Sequence, residues 1–347
     1  MCDTLLALPD ATTSGRTLFA KNSDRPPDEA QELEWLAPRR DDGPVRATYL
    51  EVDPAPRSTL GVLGSRPWWT WGLEHGVNEA GVAIGNEAIF TTLDPHGLPP
   101  ALIGMDLVRL GLERAPTARD AVEVMVDLLE RYGQGGSCHH GVDEPYWSSF
   151  LVADATDAWV LETSGRRWAS EQVPRSRAIS NRTTIPAFDA ELRDATLPTE
   201  VTTDPRLRAS QAVLAHEPVT LGALRAHLRS HTDGEDGFSV CMHVAGYAAT
   251  TAAMIVELPG PFASSRPLAH VCLGAPCASL FVPVAVGRRV GRPPAWARFG
   301  GLSARHRDRL DVLEAQLAAA APRHADSDAW APDVWRQVEA LLDAAGA

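Results

Sequence analysis

Short apolar stretches with β-type alternation dominate the first part of the chain, and one block of helical spacing interrupts them. Alternating apolar and polar positions bounded by turn-forming residues predict strands. They fall at residues 4–8, 17–22, 48–52, 59–63, 82–85, 150–153, 159–163, 168–173 and 178–180, with a turn predicted at 76–81. The helical block covers residues 103–115 and a longer helix up to Tyr132, for which Thr117 suits the N-cap and Gly133 the end.

The second part continues with helices and strands and ends in helical spacing. Residues 186–205 are rich in Pro, Asp and Thr and predict an irregular excursion. Helices are predicted at 205–216 and 220–231, strands at 240–245, 250–258, 270–273 and 280–286, and two peripheral helices at 303–321 and 333–345. This order favours an α+β architecture of two sheets with helices outside. We expect a domain over residues 1–300 and a helical extension over 301–347, which is a candidate for docking or for forming a homo-oligomer.

Composition limits the partners and the location. The 347-residue chain has a formal net charge of −13 and no basic stripe, which excludes nucleic acid and anionic membrane as general partners. No apolar run approaches the length of a membrane span, and the first residues lack the features of a signal peptide. The five cysteines show no disulfide spacing. We therefore expect a cytoplasmic protein, because a reducing compartment keeps thiols free.

A cysteine directly after the initiator methionine is the first candidate for chemistry. Aminopeptidases trim methionine before small side chains, so Cys2 can become the mature N-terminus, with a thiol and a free α-amine on one Cα. The ordinary pKa is about 7.7–8 for such an amine and about 8.5 for a thiol, so one can take the proton of the other near neutral pH. That combination is a nucleophile with its own base. A Met-Cys start alone, however, is more often without consequence.

The neighbouring pattern favours the chemical interpretation. If the strands at 4–8 and 17–22 pair antiparallel, the end of the second returns to the start of the first. Lys21, Asp24 and Arg25 are then predicted to lie beside Cys2. A nearby cation favours the thiolate, and a carboxylate can orient the ammonium.

At these residues the chain resembles a known family. Residues 1–4 (Met-Cys-Asp-Thr) and 19–27 (Phe-Ala-Lys-Asn-Ser-Asp-Arg-Pro-Pro) resemble the secernins and the related N-terminal-cysteine dipeptidases, which are N-terminal-nucleophile (Ntn) hydrolases. The likeness continues in order to about residue 285 and is weak beyond 300. The resemblance implies the four-layer αββα sandwich of the Ntn hydrolases and a reaction that needs no cofactor and no metal.

Two asparagines are candidates for binding an oxyanion. Asn86 and Asn181 each follow a short apolar stretch where a predicted strand ends. A neutral amide there can stabilise a tetrahedral oxyanion, and losing one such donor typically costs about 10²–10³ in rate. In related Ntn amidases an asparagine after a strand has this role, whereas the residues alone are equally consistent with turn-capping. Glu87 has two interpretations, as a ligand for a substrate amine or as the partner of an arginine.

These observations predict a cysteine amidohydrolase of the Ntn type. Met1 is removed, the sulfur of Cys2 attacks a C–N amide bond in a dipeptide or small N-acyl amide, and its α-amine moves the proton. Lys21 and Asp24 orient the nucleophile and its amine. Neighbouring acyl-amidase families carry arginine where Lys21 stands, and lysine offers a point charge in place of a planar fork. The alternative is a non-enzymatic, secernin-like interaction or regulatory protein on the same scaffold.

Three other motifs have weaker interpretations. Residues 138–140 (Cys-His-His) with Asp143 suggest a metal, but their spacing fits no closed zinc pattern, so a polar loop is favoured. Cys272 and Cys277 have no matching CxxC partner and are predicted to be buried free thiols. The aromatic run at 67–71 predicts either the wall of a substrate pocket or a core cluster.

Overall fold

The computed structural model describes residues 1–231, 237–260, 265–287, 290–302, 306–325 and 327–346. Its strands are β1 (Cys2–Ala7), β2 (Thr17–Arg25), β3 (Gln31–Leu36), β4 (Val45–Arg46), β5 (Glu51–Val52), β6 (Val62–Pro67), β7 (His75–Asn78), β8 (Ala83–Ile89), β9 (Trp147–Ala153), β10 (Ala158–Ser164), β11 (Arg167–Gln172), β12 (Ser176–Ile179), β13 (His243–Val244), β14 (Ala248–Leu258), β15 (Leu268–Leu273) and β16 (Val282–Ala285). Its α-helices are α1 (Gly104–Arg114), α2 (Ala118–Tyr132), α3 (Pro186–Leu192), α4 (Thr199–Thr202), α5 (Asp204–Ala215), α6 (Leu221–Leu228), α7 (Trp296–Phe299), α8 (Arg307–His324) and α9 (Trp330–Ala345).

Two antiparallel sheets form the centre of the fold. The first has the order β12–β1–β2–β14–β15–β16, with β13 paired to β14. The second has the order β11–β10–β9–β8–β7–β6–β3, and β4 and β5 form a separate hairpin. β1 and β2 pair antiparallel with Cys2 opposite Ser23. The hairpin predicted at the start of the chain is therefore confirmed.

Apolar side chains fill three interfaces between four layers. Leu6 and Phe19 of the first sheet belong to the cluster between the sheets. Their neighbours Leu5 and Leu18 turn to the other face and pack against α5 and α6, because successive side chains of a strand alternate. The outer face of the second sheet packs against α1 and α2. This order of helices, sheet, sheet and helices confirms the expected αββα sandwich.

The helical block matches its prediction because its signals are local. Thr117 is the N-cap of α2, and its hydroxyl accepts a hydrogen bond from the backbone N–H of Asp120 at 3.1 Å. Gly133 ends the helix with a φ of 77°, a conformation that favours glycine. Elsewhere the sequence misplaced boundaries. The predicted excursion at 186–205, for example, contains α3 and α4.

Most wrong boundaries lie in the second sheet. Residues 76–78 were a predicted turn but belong to β7, and the strand predicted at 82–85 continues to Ile89. The strand predicted at 48–52 is present only as the two-residue strand β5, outside this sheet. The strand predicted at 59–63 corresponds to β6, which begins three residues later, and β3 was not predicted at all. A Cβ on Gly76 would come within 2.7 Å of the Leu63 carbonyl oxygen. This glycine therefore permits close packing between strands and does not mark a turn.

The last two helices pack on the edge of the first sheet. Nε1 of Trp330 in α9 donates to the Pro283 carbonyl of β16 at 2.9 Å. Apolar residues of α8 and α9 belong to the same hydrophobic cluster as the residues between the two sheets. The helix predicted from residue 303 is seen from Arg307, and residues 303–305 lie outside the described ranges. The domain boundary at residue 300 stays a prediction. In the described parts of the chain, no helix is both long and apolar enough to cross a membrane.

Candidate active site

A cavity of about 820 Å³ opens at the end of the β1–β2 hairpin. Its lining includes three of the five predicted site residues, namely Cys2, Asp24 and Asn181. The other two, Lys21 and Asn86, are buried nearby and do not line it. Further lining comes from Arg25, Asp28, Phe90, His139, Tyr146 and parts of the segments 197–203 and 246–248.

Cys2 is the first residue of β1 and is only 5 % exposed. Its backbone N–H donates to Oδ1 of Asn181 at 2.9 Å, and its carbonyl accepts from Oγ of Ser180 at 3.3 Å. Met1 also lines the cavity, and its terminal amine donates to the Asp24 carbonyl at 3.2 Å. The Met1–Cys2 peptide bond therefore lies in the cavity wall.

Lys21 is fully buried on the same face of the hairpin as Cys2. Its ammonium donates to the Asn86 carbonyl, lies 3.4 Å from Oε1 of Glu87, and is close enough to the Cys2 thiol for its charge to act to lower the pKa of that thiol. The hydroxyl of Thr4 donates to that same Glu87 oxygen. The ion-pair interpretation of Glu87 is thus the one observed, with a lysine in place of an arginine.

Asp24 lies on the opposite face of β2 from Lys21, because three residues separate them and strand side chains alternate. Its Oδ1 accepts from Oγ1 of Thr250 at 2.6 Å. Its Oδ2 is buried without a hydrogen-bond partner among the described residues and lies 4.0 Å from Nη1 of Arg206. Lys21 and Asp24 therefore approach Cys2 from two sides.

The two asparagines have different surroundings. Nδ2 of Asn181 donates to the Ala88 carbonyl at 2.9 Å, and Asn181 lines the cavity. The amide of Asn86 faces Glu74, and in the orientation that satisfies both groups its nitrogen donates to Oε2 and to the carbonyl of Glu74 at 3.0 and 2.9 Å. Asn86 also lies inside β8, where the sequence predicted a strand end.

Burial dominates the electrostatics of the site. Burial raises the pKa of the Cys2 thiol, although Lys21 and the terminal ammonium oppose it. Burial also raises the pKa of Asp24 to about 6 and that of Glu87 to about 7. For Lys21, burial acts to lower the pKa, but Cys2, Glu87 and Glu74 outweigh it and raise the pKa. With Lys21 charged and the thiol neutral, attack by sulfur requires a base that accepts the thiol proton.

Arg206 is the residue that sequence reasoning missed. It is completely buried in α5 and donates to Oδ2 of Asp3 at 2.5 Å, to the Cys2 carbonyl at 3.2 Å and to Oδ1 of Asn181 at 2.8 Å. The signal was present, since Arg206 shares the buried stripe of its helix with Ser210 and Leu214 at four-residue spacing. A charged residue in such a stripe indicates a buried ionic partner.

The loop at residues 138–140 forms part of the rim and does not gather its side chains at one point. His139 lies 3.7 Å from Glu144, the ring of His140 packs on Trp68 with centroids 4.7 Å apart, and Sγ of Cys138 contacts the Gly136 carbonyl at 3.7 Å. This arrangement is that of a polar loop. Of the aromatic run at 67–71, Trp68 is 48 % exposed and lies outside the cavity lining.

A protein-family model described as Peptidase family C69 matches residues 1–203, which is more than half of the chain. The match contains every site residue predicted from the sequence. Among curated proteins, the chain is 27 % identical to a dipeptidase of Bifidobacterium longum over 217 residues, covering 55 % of this chain and 39 % of that protein. It is 29 % identical to the probable dipeptidase B of Lactococcus lactis over 206 residues, covering 54 % and 40 %. The matched part thus spans about two fifths of these relatives.

Among solved structures, the chain resembles penicillin V acylase from Agrobacterium tumefaciens. The TM-score is 0.50 at 13 % identity, and the match covers 82 % of this chain and 86 % of that one. At this identity the likeness concerns the fold. It agrees with the four layers seen in the packing.

Proposed function

This chain belongs to peptidase family C69, and from that membership and the geometry around Cys2 we propose that it is an Ntn-type cysteine amidohydrolase. The proposed substrate is a dipeptide or another small N-acyl amide. The observation that carries the proposal is the position of Cys2. This residue is buried at the cavity, its side chain is on the same face of the hairpin as the Lys21 ammonium, and its N–H is held by Asn181.

The proposal requires that Cys2 becomes the first residue of the mature chain. Met1 occupies part of the cavity, so its removal creates space next to the thiol and converts the Cys2 N–H into an α-amine. Oδ1 of Asn181 already accepts a hydrogen bond from that nitrogen. Oδ2 of Asp24, which accepts no hydrogen bond from the described residues, provides a carboxylate that interacts with the ammonium now on Met1.

In the proposed reaction the α-amine takes the thiol proton and the sulfur attacks the amide carbonyl. A tetrahedral intermediate forms, and the ammonium returns the proton to the leaving nitrogen as the C–N bond breaks. Water, deprotonated by the same amine, then hydrolyses the thioester and restores Cys2. Lys21 stabilises the thiolate, because its charge is buried beside the sulfur.

Asn181 is the proposed oxyanion donor. An asparagine amide has two N–H groups, and one hydrogen bond from Nδ2 goes to the Ala88 carbonyl. The second N–H is then available to the oxyanion of a substrate in the cavity. The same role for Asn86 stays a prediction, since its amide faces Glu74 in this structure.

Cavity size and lining support a small substrate. A volume of about 820 Å³ lies in the range of roughly 300–1,000 Å³ that is usual for small-molecule sites. Charged Arg25 and Asp28 and apolar Phe90 and Tyr146 all line it. The two aromatic rings suit the apolar side chains of a short peptide and exposed Asp28 suits its ammonium end, whereas the guanidinium of Arg25 is already paired with Glu29 and Glu74. The similarity to a dipeptidase and to a probable dipeptidase favours dipeptides within this class.

Hydrolysis of a panel of dipeptides and N-acyl amides by the purified protein tests the proposal. We expect turnover of at least one dipeptide, its loss in Cys2→Ala and its retention in Cys272→Ala, which removes a buried thiol outside the cavity. Equal turnover by the wild type and Cys2→Ala would refute the assigned nucleophile. If the wild type with a free N-terminal cysteine hydrolyses nothing, the non-enzymatic interaction protein becomes the better hypothesis.

A further inference from the structure

Four side chains with metal-binding atoms meet at one point outside the catalytic centre. They are His231, Cys241, His243 and Cys277, and one ligand atom from each lies within 4.8 Å of the corresponding atoms of the others. His231 follows α6, Cys241 lies just before β13, His243 begins β13, and Cys277 lies in the loop between β15 and β16. Cys277 is more than 30 positions from each of the other three, so local sequence pattern does not explain their meeting.

The distances within the group fit tetrahedral coordination. Nε2 of His243 lies 3.5 Å from Sγ of Cys241 and 3.2 Å from Sγ of Cys277. A tetrahedral zinc site with metal–sulfur bonds of about 2.3 Å and metal–nitrogen bonds of about 2.0–2.1 Å has sulfur–nitrogen edges of roughly 3.5 Å. The rings of His231 and His243 are 5.2 Å apart at their centroids, and Nε2 of His231 is buried without a hydrogen-bond partner in the described structure.

We propose that His231, Cys241, His243 and Cys277 bind one structural Zn²⁺ ion. Two thiolates and two imidazoles form the donor set of closed structural zinc sites, and soft sulfur ligands with tetrahedral geometry favour Zn²⁺ over the hard cations Mg²⁺ and Ca²⁺. All four coordination positions are filled by protein, so this ion has no open position for a substrate. The site is separate from the metal-free chemistry assigned to Cys2.

The ion would hold the segment that closes one side of the catalytic cavity. Phe238, Gly246 and Tyr247 line the cavity and lie on either side of Cys241 and His243 in the chain. Between the two ligands, the backbone N–H of Met242 donates to Oγ1 of Thr250 at 2.8 Å. The Thr250 hydroxyl in turn donates to Asp24.

A metal at this point also connects distant parts of the fold. Cys241 N–H donates to the Ser230 carbonyl at 3.0 Å, which joins the segment to the end of α6. The Cys277 carbonyl accepts from Nη1 of Arg307 in α8 at 3.2 Å. Zinc would therefore cross-link the cavity wall, the helix layer and the last helices. Its removal should loosen the segment at 237–248 first.

Metal analysis and cobalt replacement on the full-length protein test the proposal. We expect about one zinc per chain after purification under reducing conditions, and replacement by Co²⁺ should produce a thiolate-to-cobalt charge-transfer band with the visible absorption of a tetrahedral site. Cys241→Ala and Cys277→Ala should lose the zinc and the band, whereas Cys272→Ala, five residues from Cys277, should keep both. Metal removal should also lower the melting temperature and speed proteolytic cleavage between residues 237 and 248.

Some outcomes would overturn the proposal. If the wild type binds neither zinc nor cobalt when all its cysteines are reduced, the four residues are no metal site. The same follows if both metals remain in Cys277→Ala, or if Cys241 and Cys277 form a disulfide in protein kept under reducing conditions. The cobalt titration of the wild type decides the question even if a variant does not fold, because it needs no substitution.

Discussion

Lys21 and Gly85 meet across the two sheets without space for a methyl group between them. A Cβ on Gly85 would lie 2.6 Å from Cδ of Lys21 and 3.0 Å from Oγ1 of Thr4. The missing side chain in β8 thus allows the lysine of β2 to extend between the sheets and reach Cys2. This contact leads to the first prediction.

Gly85→Ala should move Lys21 away from the thiol. Overpacking of this kind costs about 1–3 kcal/mol of unfolding free energy, and a displaced cation stabilises the thiolate less. We expect lower stability in urea unfolding and a shift to higher pH in the reaction of Cys2 with iodoacetamide. Gly222→Ala is the matched control, because its Cβ would meet only Oγ1 of Thr220 at 3.8 Å. An unchanged reaction profile in Gly85→Ala would contradict the role of Lys21.

Trimming of Met1 should be complete in protein made in its own cells. The intact mass should be lower than that of the full translation product by one methionine, because the proposed base is the α-amine of Cys2. A variant with glutamate inserted between Met1 and Cys2 should keep its methionine, since large side chains block trimming, and should have no hydrolytic activity. Activity in protein that retains Met1 would eliminate the α-amine as the base.

The two asparagines should differ in what their removal affects. Asn181→Asp keeps the oxygen that accepts from Cys2 and Arg206 but replaces the Nδ2 donor. We expect kcat to fall by roughly 10²-fold with a smaller change in KM, as for the loss of one oxyanion donor. Steady-state kinetics of the trimmed enzyme measure this. An unchanged kcat would exclude Asn181 from oxyanion binding.

Asn86→Ala should affect stability and not kcat, in contrast to Asn181→Asp. Its amide is held by Glu74, so we expect its loss to cost about 1–3 kcal/mol of unfolding free energy by leaving a buried acceptor unpaired. If Asn86→Ala instead lowers kcat by roughly 10²-fold at unchanged stability, the oxyanion role inferred for it from the sequence is correct.

The buried carboxyl of Glu87 should make stability fall as the pH rises. Burial raises its pKa from 4.5 to about 7, so the folded chain holds this proton more tightly than the unfolded chain does. Its contribution is fully present below pH 4.5 and is lost as the pH rises toward about 7. The unfolding free energy of the wild type minus that of Glu87→Gln should decrease across this window and then level off. The same difference measured for Glu32→Gln on β3, where the side chain is exposed, shows how much pH dependence a Glu→Gln change at the surface produces. A difference that is constant with pH would show that Glu87 is not perturbed.

Local signals explain why much of the helical and hairpin structure was predictable. The cap at Thr117, the glycine at position 133 and the turn between the first two strands act over a few residues. The proximity of Lys21 to Cys2 follows from antiparallel pairing alone. The sequence also predicts that Asp24 lies on the other face of the strand, since three residues separate it from Lys21 and strand side chains alternate.

The sequence by itself therefore determined the nucleophile candidate, the hairpin that carries it and the order of layers implied by the family resemblance. Only the tertiary structure brought Arg206 and Asn181 to Cys2, placed Glu87 beside Lys21 and gathered His231, Cys241, His243 and Cys277. The physical reason is the distance along the chain over which each kind of interaction acts. Caps, turns and strand alternation depend on neighbours in the chain, whereas these contacts depend on how two sheets and their helices stack, which the pattern of a single segment does not encode.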